Sequence, residues 1–148
     1  MAKIVVGIDG SDHSKAALRW AVEEGRLRNA DVAALHAYEV PLRSPDISPA
    51  SRPDLIDTVT EAYEGALAFV TRIVEEVVAG DSTVNVETFA VEGTSPESVL
   101  IEASRDAELL VVGSRGRSEL AELLLGSVSQ ECAHHAACPV LIHRRPGA

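Results

Sequence analysis

Leu109-Leu110-Val111-Val112 is apolar at every position and runs directly into Gly113. A strand with one wet face alternates between apolar and polar residues. A strand without a polar side must be covered on both faces, which is the condition of a parallel sheet held between two layers of helices. The chain opens in the same way: Lys3 to Ile8 reads KIVVGI, β-branched and apolar, and stops at the turn residues Asp9-Gly10-Ser11.

The segments between and beyond these two runs alternate in type. Ser11 or Asp12 can cap a helix that reaches to about Asn29 and carries Ala17, Leu18, Ala21, Val22 and Gly25 on its packing side. DVAALHAY, residues 31–38, is a second strand. Pro41 to Pro53 holds four prolines, three serines and two arginines and reads as a mobile loop. A long helix follows. Ile56, Val59, Tyr63, Leu67, Val70, Val74 and Val77 keep a spacing of three or four, and Gly80-Asp81 ends it. TVNVETFAV, residues 83–91, alternates as a third strand. Thr94-Ser95-Pro96-Glu97 starts a helix with a hydroxyl cap, an early proline and a carboxylate in the first turn. AELLVVG (107–113) is the fourth strand, a helix runs from about Ser127 to Ala137, and CPVLIH (138–143) is the fifth strand. Five strands alternating with four helices predict right-handed crossovers and one parallel sheet in a single domain over residues 1–148, with a loose tail from Arg144.

Composition narrows the function. Apolar residues make up 46% of the chain and aromatic ones only 3%, so the core is Val, Leu, Ile and Ala. The net charge of −10 repels polyanions and argues against nucleic acid or an anionic membrane as partner. The apolar start before Asp9 is too short for a signal-peptide core, and no span of 18 apolar residues exists, so the chain reads as soluble and cytoplasmic. Cys132 and Cys138 make no disulfide framework and read as small buried side chains. His134 and His135 are neighbours on a helix and point about 100° apart, which suits no shared metal, and His13, His36 and His143 fall in separate elements. No protein-ligated metal is expected.

In an open parallel sheet, ligands sit beyond the carboxyl ends of the strands. Three segments lie there: Asp9-Gly10-Ser11, His36 to Glu39, and the stretch from Gly113. In the last, Gly113 and Gly116 bracket Ser114-Arg115, and Gly126-Ser127 opens the final helix. Free amides at a helix start and the helix dipole favour an anion, Arg115 adds a cation, and Ser127 and Ser129 add hydroxyls. This equipment suits phosphate. Arg117 is a weaker candidate of the same kind.

VVGIDGS at the start, LVVGSRGRSELAELLLGSVSQECAHHAACPVLI at the end and the β-α order between them resemble the universal stress protein family over nearly the whole chain. The family's nucleotide-binding branch carries G-2x-G-9x-G-(S/T), which Gly113, Gly116, Gly126 and Ser127 match in full. The resemblance implies a Rossmann-like open parallel five-stranded sheet of order 3-2-1-4-5 with helices on both faces. It implies ATP at the carboxyl ends, with AMP or cyclic AMP as alternatives. Mg²⁺ would then ride on the phosphates, since that ion needs few protein ligands. Carried onto this chain, Gly7 and Asp9 line the nucleoside end, with the Asp9 carboxylate on ribose hydroxyls, and the Ala37 backbone meets the adenine edge. Val112 and Gly113 form the floor, while Arg115, Gly116, Gly126, Ser127, Val128 and Ser129 hold phosphates. Asp9 has a rival role as a turn or capping residue. The resemblance also implies a homodimer through the strand at 138–143, whose apolar PVLI would form a sheet edge able to recruit a second copy.

Other chemistries fit less well. Gly7-Ile8-Asp9-Gly10-Ser11-Asp12 lacks the third glycine of a dinucleotide fingerprint. Strand three ends at Ala90-Val91-Glu92, with no Asp to accept a phosphoryl group. No P-loop lysine follows a glycine, and no base stands near the phosphate segment. The expectation is therefore a nucleotide-dependent switch or binding module in a stress response, with no catalytic residue. Slow ATP hydrolysis, or a dimeric partner protein that needs no nucleotide, are the alternatives.

Overall fold

The computed structural model describes residues 2–40, 52–116 and 125–145. Five strands and four helices alternate along them: β1 (Lys3–Gly7), α1 (Asp12–Arg28), β2 (Asp31–Tyr38), α2 (Arg52–Val78), β3 (Val86–Glu92), α3 (Pro96–Ala103), β4 (Leu109–Gly113), α4 (Ser127–His135) and β5 (Val140–His143). A 3₁₀ turn at Ser104–Asp106, which no sequence pattern announced, joins α3 to β4. Most of the loop expected at 41–53 and all of Arg117 lie outside the described residues. Its last two residues, Arg52 and Pro53, already belong to α2.

All strand pairs are parallel, in the order β3-β2-β1-β4-β5, a Rossmann-like α/β sheet. Successive strand residues face opposite sides, so each strand feeds two cores. Ile4, Val6, Val32, Ala34, Leu109 and Val111 pack under α1 and α2. Val5, Ala33, Leu35, Leu110 and Val112 pack under α3 and α4. The interior strand β4 is buried at Leu109 through Val112, as its unbroken apolar run requires. The edge strand β3 alternates between half-buried and exposed residues.

The helices begin and end where their chemistry dictates. The Ser11 hydroxyl accepts the Ser14 amide at 3.1 Å and caps α1, and Asn29 closes that helix in the left-handed region at φ 53°. The Ser95 hydroxyl accepts the Ser98 amide at 3.2 Å and caps α3, with Pro96 as its first residue. Ser104 is fully buried. Its hydroxyl donates to the Ile101 carbonyl at 2.6 Å and accepts the Ala137 amide at 2.8 Å, tying the end of α3 to the approach to β5.

The apolar stripe of α2 behaves differently along its length. Val70, Ile73 and Val74 are buried, whereas Ile56 is 68% exposed and Val59 and Tyr63 are also exposed. Length explains this. The helix has 27 residues, about 40 Å at 1.5 Å per residue. Its sheet partner β3 has seven, about 23 Å. Strands of this length cannot cover the whole helix, and its exposed apolar positions fall in its first half, where Tyr63 meets the last residue of β2, Tyr38, with ring centroids 6.5 Å apart.

Candidate functional site

The order of the sheet reverses between β1 and β4: β1 leads outward to β2 and β3, and β4 to β5. Their following helices, α1 and α4, therefore leave on opposite faces, and a crevice opens at the carboxyl ends between them. A pocket of about 550 Å³, open mouth included, occupies this position.

Gly7, Asp9, Ala37, Val112, Gly113, Arg115, Gly116, Gly126, Val128 and Ser129 all line it, although they come from four separate stretches of chain. Ser127 does not. Its side chain is exposed on the first residue of α4, pointing away while Val128 and Ser129 turn inward. Five lining residues were not foreseen: Ile8, Ser14, Leu35, Pro96 and Leu100. Pro96 carried a readable signal, because the start of α3 must also lie at the carboxyl edge of the sheet. Leu100, one turn on, reads from sequence as ordinary core.

Asp9 and Arg115 are the charged lining residues among those described. Asp9 holds a turn as well as facing the pocket: its Oδ1 accepts the Ser11 amide at 2.9 Å. Ser14 Oγ donates to the Ser11 carbonyl at 2.9 Å, which locks that turn against α1. Gly10 sits in the turn at φ 85°, and a Cβ there would stand 2.6 Å from Phe69 Cζ. Next to it His36 Nδ1 donates to the Ile8 carbonyl at 2.8 Å, holding the ends of β1 and β2 together.

The anion-binding equipment is smaller than the sequence suggests. The Gly126 amide donates to the Ser114 carbonyl at 2.7 Å, and the Ser114 amide to the His143 carbonyl at 2.9 Å. The Ser129 hydroxyl donates to the Gly126 carbonyl at 2.9 Å and reaches the Ser114 carbonyl at 3.3 Å. The Gly126 N–H and the Ser129 hydroxyl proton are thus used inside the protein and are not free for phosphate. What remains is the first turn of α4. Gly126 is its N-cap and offers no side-chain acceptor, so the amides that follow lack intrahelical partners. Those amides, the helix dipole and Arg115 make one electropositive end. Ala37, Pro96, Leu100 and Asp9 make an end suited to an apolar ring with hydroxyls. Among the described residues no group of three or more His, Cys, Asp or Glu side chains is placed to hold a metal. Nor is any described helix long and apolar enough to cross a membrane.

The family model for the universal stress protein family matches residues 1–144. The chain belongs to the universal stress protein family. A universal stress protein of Mycobacterium tuberculosis is 33% identical over 141 residues, covering 94% of this chain and 46% of its own length. The chain spans about half the length of the curated relatives it matches. Among solved structures, the universal stress protein UspA from Lactobacillus plantarum superposes with a TM-score of 0.77 at 25% identity, covering 97% of each chain. A universal stress protein in complex with cAMP has a TM-score of 0.62 at 28% identity, covering 97% of this chain and 96% of its own. One from Archaeoglobus fulgidus in complex with dAMP has a TM-score of 0.57 at 25% identity, covering 96% and 97%.

Proposed function

We propose that this chain binds ATP in the pocket between β1 and β4 and works as a nucleotide-dependent switch or binding module in a stress response. The reading rests above all on one juxtaposition. A single pocket joins the uncapped start of α4 and Arg115 at one end to Asp9 and Ala37 at the other. Phosphates suit the first end, because amide donors and the dipole both favour negative charge. In this reading the Asp9 carboxylate takes ribose hydroxyls, the Ala37 backbone meets the adenine edge, and Gly7, Val112 and Gly113 shape the floor. Arg115 and the amides around Gly116, Ser127, Val128 and Ser129 hold phosphate, with Mg²⁺ carried on the nucleotide.

A monophosphate, AMP or cyclic AMP, is the second reading. Two observations favour it: the structures in complex with cAMP and dAMP, and the internal commitment of the Gly126 amide and Ser129 hydroxyl, which leaves fewer donors for a long phosphate chain. Neither reading includes a dedicated catalyst, because the described pocket lining carries Asp9 as its only carboxylate and no lysine. Slow hydrolysis of ATP is compatible with both. The wider proposal is that residues 1–148 form one such domain, that it is cytoplasmic, and that it pairs with a second copy through β5, whose residues are half-buried at the sheet edge. Heating freshly purified protein and identifying the released nucleotide by mass spectrometry tests the assignment. ATP supports the first reading and AMP or cyclic AMP the second. No nucleotide, together with no binding of any of the three by calorimetry, defeats both.

A further inference from the structure

His13 lies in the first turn of α1, and His143 is the last residue of β5. Each has its Nδ1 buried without a hydrogen-bond partner among the described residues. Both press on the same point of the pocket. The backbone of His13 stands 3.0 Å from where a Cβ on Gly113 would be. His143 pairs with Gly113 in the sheet, and its carbonyl accepts the Ser114 amide at 2.9 Å. The Ser114 carbonyl in turn accepts the Gly126 amide at 2.7 Å. Two hydrogen bonds therefore connect the His143 backbone to the N-cap of α4.

We propose that His13 and His143 form a proton-responsive latch that makes ligand binding in the pocket weaker in mild acid. As a statement about binding it rests on the nucleotide reading; as a statement about the α1–β5 contact it stands alone. A neutral imidazole can leave Nδ1 as a bare acceptor. A protonated one turns Nδ1 into a charged donor, and here that donor would be buried with no acceptor among the described residues. Protonating both rings would add repulsion between like charges.

The surrounding charges give little relief. Asp12, beside His13, pairs with Arg145 at 3.9 Å, and Arg145 and Arg144 follow His143 directly. Arg115 follows two residues after Gly113 from the β4 side. On α4, Glu131 pairs with His135 at 3.5 Å, and His134 lies beside His135. Burial, and then the charge of His13, hold His143 below its ordinary value of about 6.5. The unfolded chain therefore takes up the proton first. The contribution of the contact is complete above pH ~6.5 and is lost as the pH falls from there toward the lower folded value.

The test compares the wild type with His143→Phe, and with His13→Phe should the first variant fail to fold. ATP affinity is measured by calorimetry at pH 7.5 and pH 5.5. Protonation of the phosphates themselves is common to all the proteins and cancels in the comparison. The latch predicts that acid weakens ATP about fivefold more in the wild type than in the variant, and that His143 titrates below its ordinary value in the NMR spectrum of the wild type. An equal acid effect in both proteins, or a normal His143 titration, overturns it. If neither protein binds ATP, AMP or cyclic AMP at either pH, the nucleotide reading fails instead. The melting temperatures of the unliganded proteins then decide the latch: the wild type must lose more than the variant on acidification, and equal losses overturn it.

Discussion

The amide of Gly126 donates to the carbonyl of Ser114 at 2.7 Å, and this bond fastens the start of α4 to the end of β4. It sets the two glycine-bearing segments at a fixed separation across the pocket. Gly126 itself has φ −73° and ψ 166°, which any residue can adopt. Its backbone therefore does not require a glycine, and its place in the pocket lining makes added bulk there a test of the site. Gly126→Val is expected to weaken ATP by more than about tenfold while the thermal midpoint shifts by only a few degrees. Calorimetry and a melting curve on the same sample check both halves.

Arg115 lines the electropositive end and forms no ion pair among the described residues. Arg115→Ala should weaken ATP by about 1–2 kcal/mol and leave adenosine nearly unchanged. Parallel titrations with the two ligands check this. Equal losses would show that Arg115 does not meet phosphate.

Gly113 is a packing glycine. A Cβ there would stand 3.0 Å from the carbonyl carbon, oxygen and Cβ of His13, and backbone atoms at the start of a capped helix have little room to retreat. Gly113→Ala is expected to cost about 1–3 kcal/mol, read as a lower urea midpoint with an unchanged slope.

Much of this was legible in the sequence, and the reasons differ by element. The apolar run Leu109–Val112 demanded cover on both faces and received it. Ser95 and Pro96 marked the start of α3 because capping chemistry is local. The glycine spacing from Gly113 to Gly126 placed the segments that line the pocket, since chain geometry links a strand end to the helix that follows. Three things were hidden because they depend on relations across the fold. Ile56, Val59 and Tyr63 follow a helical apolar spacing, yet their exposure depends on how far the sheet extends beneath them. The Ser129 hydroxyl looks like a ligand donor until the Gly126 carbonyl is found 2.9 Å away. Leu100 faces the pocket only because α3 packs over the end of β1, where a Cβ on Gly7 would stand 2.7 Å from Leu100 Cδ1.

Ser104 offers a test of the scaffold independent of any ligand. Its hydroxyl is the acceptor for the Ala137 amide at 2.8 Å within a fully buried position. Ser104→Ala removes that acceptor, although water can reach the Ala137 amide on its exposed residue. The expected loss is about 0.5–1.5 kcal/mol by chemical denaturation, with nucleotide affinity unaffected.

The cysteines should be inert in the folded protein. Burial, reinforced by Glu97, Glu131 and Cys138, pushes the Cys132 thiol up to about 11, and burial also raises Cys138. Thiolate is the reactive form, so both should alkylate slowly near pH 8 in the native state and rapidly after unfolding. Mass spectrometry of iodoacetamide-treated protein, native and in denaturant, checks the contrast.

The central claim is that the uncapped start of α4, Arg115 and Asp9 form one nucleotide site. Calorimetric titration of the wild-type protein and Asp9→Ala with ATP tests it most directly. One ATP per chain is expected in the wild type, with an affinity at least about tenfold weaker in the variant, as follows when a ribose-binding carboxylate is removed. Absence of ATP, AMP and cyclic AMP binding in the wild type, or binding that Asp9→Ala leaves unchanged, would contradict it.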